Sequence, residues 1–248
     1  MFFRRYPPVI MLHHVSDDVR LDGLKPYSIS NGSFTRLLDV LNEEGYIPVG
    51  FEDLNKPGEK QVIITFDDCP RHLWDFAIPE LQKRNMKAVF YMPTAYLGGQ
   101  NDWDIPFGKP AVDLMDESDI KRLSDIGMEI GSHSHRHVRL GDFPRSEVAE
   151  NLKESKEILE GITGRKIISI AYPFGSVPKD NNKLLKEAGY DYGLSIYSPF
   201  ENRYSIRRFI YHDGDDARRL KAKLSFRYSI MRAINDKLLY LKSLRQGK

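Results

Sequence analysis

The chain has 248 residues, of which 41% are hydrophobic and 29% charged, with a formal net charge of +2. That length allows one large α/β domain or two small ones around a substantial core, and the composition excludes a disordered chain. The small net charge does not predict a nucleic-acid partner, and a single cysteine, Cys69, excludes an intrachain disulfide.

The first residues, Met1-Phe2-Phe3-Arg4-Arg5-Tyr6, include two arginines but no apolar middle and no small-residue cleavage site. With no apolar run of spanning length, the expectation is a cytoplasmic protein. Residues 9–12 (Val-Ile-Met-Leu) read as a first buried strand. A helix follows at 33–44, with Ser33 as N-cap, Phe34, Leu37, Leu38 and Leu41 on one face, and Gly45 as the stop. Strands are predicted at 46–49, 62–66 and 88–91, with a helix carrying Phe76, Ile78 and Leu81 between the last two.

Residues 93–116 form a long loop rich in Gly, Pro, Asn and Asp, of a length usually kept for function or motion. Beyond it the pattern predicts a helix at 117–124, a strand at 128–130, a helix at 145–161 and a strand at 167–172. A helix at 179–188 and strands at 192–196 and 207–211 complete the series. Near-continuous apolar strands alternating with helices predict a parallel sheet covered on its faces. About seven such units favour a barrel over an open sheet. His13, Asp67, Asp68, His133 and Pro173 all fall at or just past C-terminal strand ends, where parallel barrels carry their sites.

The barrel is expected to occupy residues 1–215 and a basic helical extension residues 216–248. From Arg218 to Lys248 the lone acid is Asp236, and Leu220, Leu224, Met231, Ile234, Leu238 and Leu241 recur at helical steps. This reads as one amphipathic basic helix. Its first half is expected to pack on the barrel and residues 242–248 to form a solvated tail; the alternative is contact with an anionic membrane or a protein partner.

Four constellations carry chemistry. Asp67 and Asp68 end the run Val62-Ile63-Ile64-Thr65-Phe66. Neighbours on a strand diverge, so they share a cavity only if the chain turns there; otherwise they are solvated or cap the following helix. In the shared cavity, one carboxylate binds a metal and the other stays free as a base. His133 and His137, in His133-Ser134-His135-Arg136-His137, stand at the four-residue interval that brings two imidazoles together on a helical turn; the plainer reading is a polar surface loop. A carboxylate and two imidazoles form the ligand set of an open catalytic metal site.

His13 and His14 follow the first strand, and one of them is a candidate general acid. Tyr172-Pro173-Phe174-Gly175 ends another strand and can present a backbone N–H to an oxyanion. For Cys69 a small semi-buried residue is the preferred reading over a nucleophile, and for His212 a surface position is at least as good as a place in the pocket.

Thr65-Phe66-Asp67-Asp68, His133-Ser134-His135-Arg136-His137 and Tyr172-Pro173-Phe174-Gly175, in this order, resemble the polysaccharide deacetylases of carbohydrate esterase family four. The resemblance runs from about residue 9 to residue 211 and implies a single distorted (β/α)7 barrel, here with a C-terminal amphipathic helix. It implies Asp67 as general base, Asp68, His133 and His137 as ligands of a divalent metal (zinc by default, nickel or cobalt otherwise), and the N–H of Phe174 at the oxyanion. The substrate implied is an N-acetylated glycan or sugar.

Two positions depart from the family pattern. Many members carry a base-orienting arginine three residues before the proline, where this chain has Ile170. A subset acting on bacterial exopolysaccharide glucosamine also lacks it, and that subset begins with an apolar strand and a histidine, which implies His13 as general acid. Arg71 is the candidate substitute for the lost arginine. Cys69 stands where glycine is common. The rival readings are an amidohydrolase of another C–N bond, a silent carbohydrate-binding barrel, which the retained Asp67 disfavours, and a docking module working through the C-terminal helix.

Overall fold

The computed structural model describes residues 6–54 and 59–245; the opening residues 1–5 and the last three lie outside the described residues. Six strands, β1 (Val9–Leu12), β2 (Gln61–Asp67), β3 (Val89–Met92), β4 (Glu129–Ser132), β5 (Ser169–Ala171) and β6 (Tyr192–Ser195), pair in parallel in chain order. Two short strands complete the circuit. β7 (Ile206–Arg207) pairs with β6 and β8 (Phe209–Ile210) with β1, both in parallel. Only Arg208 separates them, so the expected seventh strand exists but is broken at one residue, and it joins the two edges of a nearly closed barrel.

Alternation along each strand sorts the two faces. Val9, Ile63, Val89, Tyr91, Ala171, Leu194 and Ile206 cluster inside. Ile10, Leu12, Ile64, Phe66 and Phe90 face the covering helices. These are α1 (Asn31–Glu43), α2 (Ala77–Lys83), α3 (Glu117–Asp125), α4 (Arg145–Thr163) and α5 (Asn181–Glu187). Thr65 and Asp67 share the parity of Ile63, and this register aims Asp67 into the barrel.

The N-cap of α1 is Ser30, not Ser33. Ser30 is extended and its hydroxyl accepts the Ser33 N–H at 3.2 Å, so Ser33 supplies the third donor of the first turn. The predicted strand at 46–49 shrinks to Ile47–Pro48 beside β2.

The C-terminal region corrects the expectation of one helix. Ser225 adopts extended angles after α6 (Ala217–Leu224), and its hydroxyl then accepts the N–H of Tyr228 at 3.2 Å in α7 (Phe226–Arg245). α6 buries Leu220 and Leu224 in the outer core. Helix α7 continues through Lys242 to Arg245, where a solvated tail was expected. Among the described residues no helix is long and apolar enough to cross a membrane.

Candidate active site

Asp67 is the last residue of β2, and Asp68 immediately adopts the left-handed region at φ 66°. That reversal keeps both adjacent carboxylates near His13 and His133. Cys69 is left-handed as well, at φ 50°, in the position where glycine pays no steric penalty. Its side chain is fully buried and its carbonyl accepts the N–H of Met115 at 3.0 Å, so packing and a loop hydrogen bond hold the strained turn. Burial raises the Cys69 thiol well above its usual range, and Asp68 and Asp67 add to that, which keeps it protonated. The non-nucleophilic reading of Cys69 therefore fits its surroundings, although it is wholly rather than partly buried.

His133 and His137 come together, but not on a helical turn. The segment after β4 is an irregular loop with left-handed residues at Ser134 (φ 64°) and His137 (φ 48°). Side chains replace the helical ladder. Ser132 Oγ accepts the Ser134 N–H at 3.0 Å, Asn151 Oδ1 accepts the His135 N–H at 2.7 Å, and Ser134 Oγ accepts the His137 N–H at 3.1 Å.

The Nε2 atoms of His137 and His133 lie 3.2 and 3.4 Å from Asp68 Oδ1. All three residues are buried, and their ligand atoms lie within 4.8 Å of one another. His133 Nδ1 sits 2.7 Å from the Ala171 carbonyl, which assigns its proton to Nδ1 and leaves the Nε2 lone pair facing Asp68. Asp68 Oδ1 is buried with no hydrogen-bond donor of its own. An unsatisfied carboxylate oxygen between two imidazole nitrogens fits a divalent cation with mixed N/O ligands. Burial pushes the Asp68 carboxyl up, but the facing His137 outweighs it and holds the group ionised. Burial lowers His133 to about 4, so its ring is neutral near pH 7, as a ligand must be.

Asp67 is held by a residue that the motifs did not reveal. Arg208 donates to both oxygens, at 2.6 Å to Oδ1 and 2.7 Å to Oδ2, and also to Thr65 Oγ1 at 3.1 Å. Burial raises the Asp67 carboxyl; Arg208 reverses this and keeps it below the ordinary carboxylate range. Arg71, the expected substitute, bonds Asp116 and Asp119 on the exposed rim instead, because the first turn of α3 places that acidic capping box beside it. The available signal for Arg208 was a charged residue in the apolar run Ile206-Arg207-Arg208-Phe209-Ile210, on the parity of Ile206.

His13 Nε2 stands 4.0 Å from Asp67 Oδ2, with the ring of Tyr27 5.0 Å away. His14 is buried and stacks on His72 at 5.3 Å; burial lowers it to about 3. Phe174 is left-handed at φ 57°, and its exposed ring lies 4.8 Å from His137. Trp103, from the long loop, also packs on His137, at 3.9 Å. That loop is fastened by buried Asn101, which accepts the Val112 N–H at 2.7 Å. His135 turns away to Thr94 and Glu154, and His212 is on the surface.

Comparison with known proteins places the chain in a family. The chain matches the polysaccharide deacetylase family over residues 54–193, more than half of its length, and belongs to that family. It is 24% identical over 195 residues to YxkH of Bacillus subtilis, whose name assigns it to the polysaccharide deacetylases, covering 76% of this chain but only 63% of YxkH. It is 23% identical over 209 residues to the poly-beta-1,6-N-acetyl-D-glucosamine N-deacetylase of Staphylococcus aureus, covering 77% of this chain and 70% of the relative. The deacetylase PplD of Streptococcus pyogenes, solved in complex with acetate, superposes with a TM-score of 0.75 at 20% identity, over 88% of this chain and 98% of PplD, and so shares its fold.

Proposed function

We propose that this chain is a metal-dependent hydrolase that removes the acetyl group from an N-acetylated amino sugar in a bacterial glycan or glycan precursor. One observation carries the reading: Asp68, His133 and His137 converge beside a second buried carboxylate, Asp67, whose oxygens are both held by Arg208 rather than by the ligand cluster. Asp68, His133 and His137 would hold a divalent cation, zinc by its donor set with nickel or cobalt as alternatives, which would supply an acidified water and a polarised acetamide carbonyl.

The remaining work falls to side chains and backbone. Asp67, kept ionised by Arg208, accepts the proton of the attacking water. The backbone N–H of Phe174 stabilises the developing oxyanion. His13, across from Asp67, protonates the departing amine, so that acetate and a free amino sugar leave. Trp103 and Phe174 flank His137 and offer apolar walls to the acetyl group or the sugar face.

The test is acetate release from N-acetylglucosamine oligomers by the purified zinc-loaded chain, with metal content measured in parallel. Release is expected, together with loss of bound metal in Asp68→Ala and His137→Ala. A metal-loaded chain that frees no acetate from several acetylated glycans rejects the substrate class. Wild-type metal content in both variants rejects the site.

A further inference from the structure

Helix α7 is mounted the wrong way round for a helix on a water-facing surface. Of its 20 residues the one fully buried is an acid, Asp236, 2% exposed. Its carboxylate accepts from Arg207 Nε at 2.7 Å and from the Ser198 N–H at 3.0 Å. Its carbonyl accepts the Tyr197 hydroxyl at 2.8 Å, and Arg232 donates to the Ile196 carbonyl at 2.8 Å. These bonds fix the polar side of the helix against the β6–β7 connection. Met231, Ile234, Leu238, Leu241 and Leu244 consequently face outward, each 52–59% exposed. A surface helix normally shows the reverse order. A contiguous exposed apolar face of this kind marks a contact surface.

The charge on that face selects among occupants. Arg227, Lys237, Lys242 and Arg245 are exposed between the apolar residues. The one acid of α7 is the buried Asp236, already paired with Arg207. A second copy of this chain would bring four cations against four. An anionic lipid surface complements both features, taking the aliphatic side chains below the headgroups and the cations among the phosphates. We propose that the outward face of α7 docks this protein on an anionic membrane surface, lying in the interface rather than crossing it.

The experiment is flotation of the full chain with vesicles of phosphatidylcholine alone and of phosphatidylcholine and phosphatidylglycerol in equal parts. Binding to the anionic vesicles is expected to be roughly tenfold stronger or more and to weaken with added salt. Ile234→Glu combined with Leu238→Glu should abolish it. Lys237→Glu combined with Arg245→Glu should erase the preference for anionic lipid; all four positions are exposed, so the fold, followed by circular dichroism, and the metal content should be unchanged. Equal binding to both vesicle types, or none, overturns the proposal. So does a lipid-free dimer in sedimentation equilibrium that Ile234→Glu dissociates, since the face is then a protein interface. Acetate release plays no part in either outcome, so docking and the enzymatic reading fail separately.

Discussion

Arg208 is the residue on which the chemistry of Asp67 turns. A carboxylate buried without a partner takes up a proton, and a protonated Asp67 cannot act as a base. The bidentate guanidinium prevents this. Arg208→Met is therefore expected to raise the Asp67 pKa and move the acid limb of the kcat/KM profile to higher pH. A purely architectural role would lower activity at every pH and leave the limb in place. Because the variant strands a buried charge, it should also cost roughly 3–5 kcal/mol of stability, read from denaturant melts. Asp67→Asn keeps the shape and removes the proposed base; kcat is expected to fall by about two to four orders of magnitude with bound metal unchanged. The Asp67–Asp68 pair was legible because its chemistry is local. Arg208 was not, because its partner lies 141 positions earlier and the two meet only on barrel closure.

Among the elements, β4 shows how tightly the barrel interior positions the proposed metal ligands. A Cβ built on Gly131 would lie 2.2 Å from Tyr91 Cε1 and 2.5 Å from Cδ1, and Tyr91 is fixed by its hydroxyl donating to Ser169 Oγ at 3.0 Å. Gly131→Ala is expected to cost about 1–3 kcal/mol by overpacking, seen as a lower Tm. His133 is two residues further on, so metal affinity should weaken as well. The strands and helices of the barrel were predictable to within a few residues, since each follows from its own periodicity. The predicted histidine turn was wrong in form and right in consequence. Local hydrogen bonds from Ser132, Ser134 and Asn151 overrode helical spacing, and the imidazoles still converged. The C-terminal pattern misled for a different reason: helical recurrence shows that one face is apolar, not which way that face points.

Across the whole molecule, the end of the barrel opposite the site carries a pH-dependent contribution to stability. Glu129 begins β4, where its Oε2 accepts the Glu52 N–H at 3.2 Å. Burial raises its carboxyl to about 7, against the lowering effect of that N–H. The folded chain thus keeps a proton that the unfolded chain has released. This contribution is complete below pH 4.5 and is lost as pH rises through about 7. Glu129→Gln retains an acceptor for Glu52 and removes the titration. It should leave Tm unchanged in acid and stabilise the protein above pH 7 by on the order of 3 kcal/mol, measured by calorimetry at both ends of the range.

By itself the sequence determined the elements, their parallel arrangement and the residue types of the reacting cluster, because periodicity and short motifs are properties of neighbours along the chain. Only the tertiary structure decided which arginine meets Asp67, that His14 stacks on His72 while His13 faces Asp67, and that α7 turns its aliphatic face outward. Each of these depends on segments remote in sequence packing together, and such contacts are set by the closure of the barrel, not by any local pattern.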